Sequence, residues 1–349
     1  MMFDKHSRKV YFTRRQMLKS SGAVAGALAL GSVLRGAPAA AASTFYKGAD
    51  VSWLPQMEAN GYEFYTDQGV KEDCLVILKS FGVNAIRLRT WVNPSTDPVN
   101  GHCSQSETIA MAVRCKNAGL PVIVDFHFGD TWNDVGHQNA PAAWAGYDYS
   151  QMQNAVYNYV YKFMEVMKYD GVTPGWVQVG NEINSGLLHP IGTVSNGAQM
   201  TGLINAAHDM VKEVFPSTPV IVHLAQPQNG SSITTMLNAF TSNGGKWDIL
   251  GFSSYGAASL ATSLATDMIN FGEQYGKPVM QVEVGGASNN PSGTATAVTD
   301  YIQTLRNHGA LGCFYWEPEV YSPFDTYGAG AWNTSGEPIA QIMNALLDA

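Results

Sequence analysis

Cysteine, charge and cofactor motifs are all scarce in this chain, and each shortage closes off a class of function. The four cysteines, Cys74, Cys103, Cys115 and Cys313, are widely spaced and form no C-x-x-C, which argues against dithiol redox chemistry and zinc ribbons. Cys103 and Cys115 are a candidate disulfide in an oxidising compartment. Cys115 falls within a helical pattern, however, and a chain of 349 residues does not need the bridge to hold a core. Charged residues are only 14% of the chain, which argues against a polyanionic substrate. No G-x-G-x-x-G follows the first strand pattern, so a dinucleotide has no phosphate cradle. There is no G-x-S-x-G elbow and no H-E-x-x-H, which leaves serine hydrolysis and zinc proteolysis without their parts. His127, Asp130 and His137 form only a weak metal set, and nothing in the sequence locates a calcium clip. We therefore expect no metal and no cofactor.

Residues 1–42 stand apart. Arg14-Arg15-Gln16-Met17-Leu18-Lys19 leads into a short Gly- and Ala-rich apolar stretch and then a run of small residues, resembling a twin-arginine export signal cleaved near Ala42. The expectation is transient contact with that export machinery and a mature protein in the periplasm or outside the cell. The stretch is short for a bilayer span, and no later apolar run approaches one. Residues 1–42 carry a net +6, so the whole-chain charge of -8 becomes -14 for the remainder. Such an acidic body offers nothing to a nucleic-acid backbone. A neutral polymer, read through aromatics and hydroxyl-directed hydrogen bonds, suits it better.

From residue 43 onward the pattern repeats as a β-rich run, a polar or Gly-rich loop and an amphipathic helix. Candidate strands are Tyr46–Val51, Ala85–Arg89, Pro121–Phe126, Gly175–Val179, Val220–His223, Ile249–Ser253, Val279–Val282 and Gly312–Tyr315. Between and after them, apolar spacings of three and four predict helices over 69–81, 106–118, 148–169, 197–215, 231–241, 261–275, 294–308 and 337–347. Eight strand-then-helix units predict an α/β fold, a single (β/α)8 TIM barrel over 43–349, expected to be monomeric.

In such a barrel, reactive residues gather where strands end. Side chains two apart share a strand face, so Arg87 pairs with Arg89 and Asp125 with His127. Asn181-Glu182 closes the fourth strand, Glu283 the seventh, and Trp316-Glu317 the eighth. Any one strand-end carboxylate can serve a salt bridge or a helix cap. Two of them on opposite walls of one mouth can cleave a glycoside, one protonating the leaving oxygen while the other attacks or activates water. The arginines can pair with Asp50 or Asp125, or hold a carboxylate ionised. Trp53, Trp91, Trp132, Trp144 and Trp316 lie at or just past strand ends; some must pack, while others, with Tyr255 and Tyr315, suit a carbohydrate groove.

At these residues the chain resembles the arabinogalactan endo-β-1,4-galactanases of glycoside hydrolase family 53. The likeness runs from about Tyr46 to Leu347. It is carried by Gly48-Ala49-Asp50-Val51-Ser52, by Ile86-Arg87-Leu88-Arg89-Thr90-Trp91 and by Asp125-Phe126-His127-Phe128-Gly129-Asp130-Thr131-Trp132. Most specific are Gln178-Val179-Gly180-Asn181-Glu182-Ile183-Asn184 and Phe314-Tyr315-Trp316-Glu317-Pro318. The resemblance implies a retaining glycosidase with Glu182 as acid/base and Glu283 as nucleophile. It also implies Asn181 at the sugar 2-hydroxyl, Arg87 and Tyr255 orienting and ionising the nucleophile, and His127 lining the adjacent subsite. The implied substrate is the β-1,4-galactan of type I arabinogalactan. Departures occur at Leu187-Leu188-His189-Pro190, Ser253-Ser254-Tyr255-Gly256 and Val284-Gly285; they alter substrate walls and leave both carboxylates in place. The alternatives are a retaining glycosidase for β-mannan, β-glucan or another β-galactoside, and a silent carbohydrate-binding barrel.

Overall fold

The computed structural model describes residues 44–324 and 327–349. The export segment expected over 1–42 lies outside the described residues. Eight parallel strands close into a barrel: β1 (Tyr46–Asp50), β2 (Ala85–Thr90), β3 (Val122–Phe126), β4 (Trp176–Val179), β7 (Val220–Ala225), β8 (Ile249–Ser253), β9 (Val279–Val284) and β10 (Gly312–Trp316). The remaining two, β5 (Gly186–Leu187) and β6 (Gly192–Thr193), form a small antiparallel pair in the loop after β4. All eight expected barrel strands are present.

The strands are rich in Val and Ile because they are buried on both faces, between barrel interior and helix layer. Inside the barrel the lowest layer is apolar, built from Ala85, Ile123, Trp176, Ile221, Ile249, Met280, Val282 and Phe314. Gly48 makes room for it: a Cβ there would meet the Phe314 ring at 1.9 Å. One step further toward the carboxyl ends come Asp50, Arg87, Asp125, Gln178 and His223, all 1% exposed or less. The period of two along each strand thus lifts a polar layer onto an apolar floor, directly beneath the rim.

Helices α2 (Cys74–Ser80), α3 (Gln105–Asn117), α4 (Tyr149–Tyr169), α5 (Gly197–Val214), α6 (Gly230–Ser242), α7 (Ala258–Tyr275), α8 (Pro291–Asn307) and α9 (Ala340–Asp348) wrap the barrel, and two open on capping boxes. Ser104 with Glu107 starts α3 (Gln105–Asn117), and Asp148 with Gln151 starts α4 (Tyr149–Tyr169), each cap contributing about 1 kcal/mol. Four expected helix starts need correction: α7 begins at Ala258 rather than 261 and α8 at Pro291 rather than 294, and the other two have a visible local cause. The pattern from 69 yields α2 only over Cys74–Ser80, because Asp73 caps Leu75 and the preceding residues turn through a Tyr65–Lys71 bridge. The last helix, α9, begins at Ala340 rather than 337, since Pro338 bridges to Trp332. A short α1 (Leu54–Ala59), just after β1, went unforeseen. All four cysteines are free and buried, which removes the Cys103–Cys115 disulfide; the Cys103 thiol instead faces the Ser52 carbonyl at 3.6 Å. Among the described residues no helix is long and apolar enough to cross a membrane.

Candidate active site

Everything in the polar layer converges on Arg87. Its guanidinium reaches Asp50, Asp125 and Glu283, each at 2.8 Å, and donates to Asn181 Oδ1 at 2.9 Å and Gln178 Oε1 at 3.1 Å. One cation therefore serves three carboxylates in a dry interior. Breaking such a buried network costs about 3–5 kcal/mol, because charges are left unpaired. Asp50 is further held by Ser52, through both its hydroxyl and its backbone N–H. These contacts make Asp50 a support for Arg87 rather than a group facing the mouth.

Glu283 ends β9 beside Ser253 of β8, at a register shift in the pairing. The Tyr255 hydroxyl donates to Glu283 Oε2 at 2.8 Å, while Arg87 takes Oε1. Burial pushes the Glu283 carboxyl up to about 8, with Arg87 and Tyr255 pulling the other way and Glu182 adding to the rise. Glu182 lies past β4 in a left-handed backbone conformation, φ 49°. Its Oε1 accepts from the Ser253 hydroxyl at 2.5 Å and its Oε2 faces the Val135 N–H at 3.4 Å. Burial raises its pKa as well, opposed by the Ser253 hydrogen bond. Glu182 and Glu283 stand within each other's field at one mouth, and Glu182 is the more exposed of the two.

Asn181, next to Glu182 in the chain, is buried and shares Arg87 with Glu283. Its Nδ2 donates to the Asn133 carbonyl at 2.8 Å, so its second amide hydrogen has no protein partner among the described residues. His127 is 2% exposed, and both ring nitrogens are engaged: Nε2 with Asp125 at 2.9 Å and Nδ1 with the Asn133 N–H at 3.3 Å. The metal set built on His127 separates, because Asp130 caps Asn93 and Ala142 while His137 pairs with Asp134.

The aromatic residues sort by exposure. Trp132 and Trp316 are half-buried with rings 5.8 Å apart, and remain candidates to stack a sugar. Trp91 is fully buried, and Trp53, Trp144 and Tyr315 nearly or wholly so; these tryptophans are among the packing ones, and the expectation that Tyr315 faces the groove is corrected. Trp91 instead supports Trp132 edge-on at 5.0 Å. Arg89 lies beneath the same cluster, 4.4 Å from the Trp132 ring centre, and is paired with Glu317. Glu317 is wholly buried, and its other oxygen accepts from the Trp53 N–H. It braces the tryptophans from below.

His223 and Ser253 escaped the sequence reading. His223 Nδ1 lies 2.9 Å from Asn181 Oδ1, and its carbonyl accepts from the Ile183 N–H at 3.0 Å. Nε2 is buried without a partner. Nδ1 also lies 3.1 Å from the Gln178 amide nitrogen and 3.3 Å from the Glu182 backbone nitrogen, so three groups of the site meet at this one ring atom. Burial and the nearby Arg87 charge hold the ring's pKa far below its usual value, so it stays neutral. His223→Ala is expected to lower kcat about 10- to 100-fold with a smaller change in KM, because Asn181 loses its alignment. His223→Asn, which restores a hydrogen-bonding group at that place, is expected to recover most of the loss. Steady-state kinetics of both variants check this, and equal defects would mean that hydrogen bonding there is irrelevant.

A ring of parallel strands with two carboxylates at its mouth, one half-buried and the other buried and clamped by arginine and tyrosine, defines a glycoside hydrolase. The family model Glycosyl hydrolase family 53 matches residues 46–340, and the chain belongs to that family. It is 31% identical to "Arabinogalactan endo-beta-1,4-galactanase A" of Emericella nidulans, covering 79% of this chain and 85% of that protein. It is 30% identical to "Arabinogalactan endo-beta-1,4-galactanase" of Humicola insolens, covering 86% and 97%. Among solved structures, the Ignisphaera aggregans GH53 catalytic domain superposes with a TM-score of 0.79 at 28% identity, over 87% of this chain and 96% of that one.

Proposed function

We propose that this chain is a retaining endo-β-1,4-galactanase that cuts the galactan backbone of type I arabinogalactan by double displacement. The reading rests on the clamp at Glu283: a carboxylate at the mouth held through one oxygen by Arg87 and through the other by Tyr255. Held from both sides, such a carboxylate is suited to attack an anomeric carbon without reorienting. Glu182 protonates the glycosidic oxygen as Glu283 attacks, giving a glycosyl-enzyme. Glu182, now ionised, then takes a proton from the water that releases the sugar. Asn181 offers its free amide hydrogen to the sugar 2-hydroxyl, and Trp132 and Trp316 stack sugar faces. The names borne by the relatives support galactan as the polymer. Export past the inner membrane, to the periplasm or beyond, belongs to the same proposal and rests on the Arg14-Arg15 segment.

Both catalytic carboxyls being raised sets the pH dependence. Activity needs Glu283 ionised and Glu182 protonated, so it falls at low pH where Glu283 takes a proton and at high pH where Glu182 loses one, and the two limbs belong to the coupled pair rather than to either residue. The two titrate as a pair, giving a bell. Its acid limb is expected well above the ordinary glutamate value of about 4.3. A profile of kcat/KM against pH with no acid limb above that value would contradict the assignment.

The substrate itself is tested by overnight digestion of galactan, mannan, glucan and other neutral polysaccharides, with products sized by chromatography. A ladder of short galacto-oligosaccharides from galactan alone is expected. A ladder from mannan or glucan in its place overturns galactan as the substrate.

A further inference from the structure

Two of the segments that depart from the family pattern meet around one ring. Ser254 and Gly256 flank Tyr255 in the chain, and Gly285 lies against it: a Cβ on Gly285 would come within 3.2 Å of Tyr255 Cε1. Residues 254–257 are all that join β8 to α7. Tyr255 is 46% exposed, so packing alone leaves its ring room to swing, yet its hydroxyl is held on Glu283 Oε2. The restraint has to come through the backbone on either side.

It comes from behind, out of α8. Tyr301 is wholly buried, and its hydroxyl oxygen lies 2.9 Å from Ser254 Oγ. The Gly256 N–H faces the same oxygen. A Cβ on Gly256 would stand 2.8 Å from it, so the glycine is what admits the phenol. One hydroxyl thus ties the residues on both sides of Tyr255. Ser254 is held a second time, its N–H donating to the Glu283 carbonyl at 3.1 Å. Sealed from solvent, Tyr301 itself meets no sugar.

We infer that Tyr301 is a positioning residue for the nucleophile, locking the Ser254–Gly256 segment from α8 so that the Tyr255 hydroxyl stays on Glu283. The inference rests on the proposed role of Glu283. The charged and titratable groups facing that carboxyl are Arg87 on β2, Asp125 on β3, Glu182 after β4, Tyr255 and Tyr327. None lies on α8, so removing the Tyr301 hydroxyl takes no charge from beside the nucleophile. It acts through Tyr255, whose hydrogen bond favours the ionised carboxylate. A mispointed Tyr255 hydroxyl withdraws that support, and Glu283 then holds its proton to higher pH.

The test is kcat/KM against pH, on the polysaccharide that the digestion panel selects, for wild type, Tyr255→Phe, Tyr301→Phe and the double variant. Tyr255→Phe is expected to move the acid limb up by about one pH unit, the size of a hydrogen bond to a charged group. Tyr301→Phe is expected to move it the same way by about half as much, with kcat falling roughly threefold to tenfold and KM within about twofold. On the Tyr255→Phe background Tyr301→Phe should add nothing to the shift, since both act through one contact. Tyr301→Phe also strands the Ser254 hydroxyl in the interior, so Ser254→Ala/Tyr301→Phe is measured beside it. That pair should regain the thermal midpoint that Tyr301→Phe loses, and keep the displaced acid limb. An acid limb unmoved by Tyr301→Phe, additive shifts, or a limb that returns with the thermal midpoint overturns the inference and leaves the Tyr255 clamp standing. An acid limb unmoved by Tyr255→Phe removes the clamp itself, and the role of Tyr301 falls with it.

Discussion

Replacing Glu283 by alanine is expected to lower hydrolysis of galactan and aryl galactoside alike by on the order of 10⁴-fold or more. The proposed nucleophile is lost outright, so a better leaving group cannot compensate. The fold should survive the change. Arg87 keeps Asp50 and Asp125 at 2.8 Å, and the side chain removed is one whose ionisation burial already disfavours. The thermal midpoint is therefore expected to hold or rise, separating catalytic loss from unfolding. Azide supplies the second check. The space vacated by the carboxylate admits a small anion on the same face of the sugar, so added azide should restore turnover of an activated aryl galactoside. Its product should be a galactosyl azide of inverted configuration, because only one displacement occurs. Residual activity within about tenfold of wild type, or an azide product of retained configuration, would remove Glu283 from the role.

How far the barrel could be read in advance depended on periodicity. Strands such as Val220–Ala225 and Val122–Phe126 are short, rich in β-branched residues and buried throughout, and the helices between them repeat at three and four. Eight such units leave little choice of fold. The helix starts were less visible because local chemistry outweighed the pattern. Apolar Val70 belongs to a turn, since the Asp73 side chain is positioned to start the helix only at Cys74. The six residues of α1 were too few to display a period.

The site was legible to the same depth as the strand ends. Alternation paired Arg87 with Arg89 and Asp125 with His127; in the closed barrel Arg87, Asp125 and Gln178 are hydrogen-bonded to one another. The same rule applied to β7 would have singled out His223, two residues beyond the inward Ile221. What alternation could not supply was depth. Trp91 and Trp132 both follow strand ends, yet one is sealed under the other. Exposure depends on how loops fold back over the rim, and a single strand's sequence does not encode that. Nor could spacing reveal that Ser253, on β8, reaches Glu182 beyond β4. That contact passes over β7 and exists only once β4, β7 and β8 lie side by side.

Glu182→Ala is expected to separate substrates by leaving group where Glu283→Ala does not. Galactan, whose departing alkoxide needs a proton, should lose on the order of 10²- to 10⁴-fold, the usual contribution of a positioned acid. A dinitrophenyl galactoside leaves without that help, so its first step should be nearly spared. Its second step should slow, because no base remains to activate water. Glycosyl-enzyme then accumulates, and the signature is a burst of dinitrophenol followed by a low steady rate with a lowered KM. Azide, needing no base, should accelerate that steady rate and yield a galactosyl azide of retained configuration, opposite to the product of the Glu283 variant. The alkaline limb of the pH profile should vanish with the carboxyl that produced it. Ser253 and His223 are untouched by the change, and Arg87 still holds Glu283 at 2.8 Å, so the first displacement keeps its nucleophile. Undiminished turnover of galactan, or an azide product matching that of Glu283→Ala, would sink the acid/base role and leave the opposed pair without its division of labour.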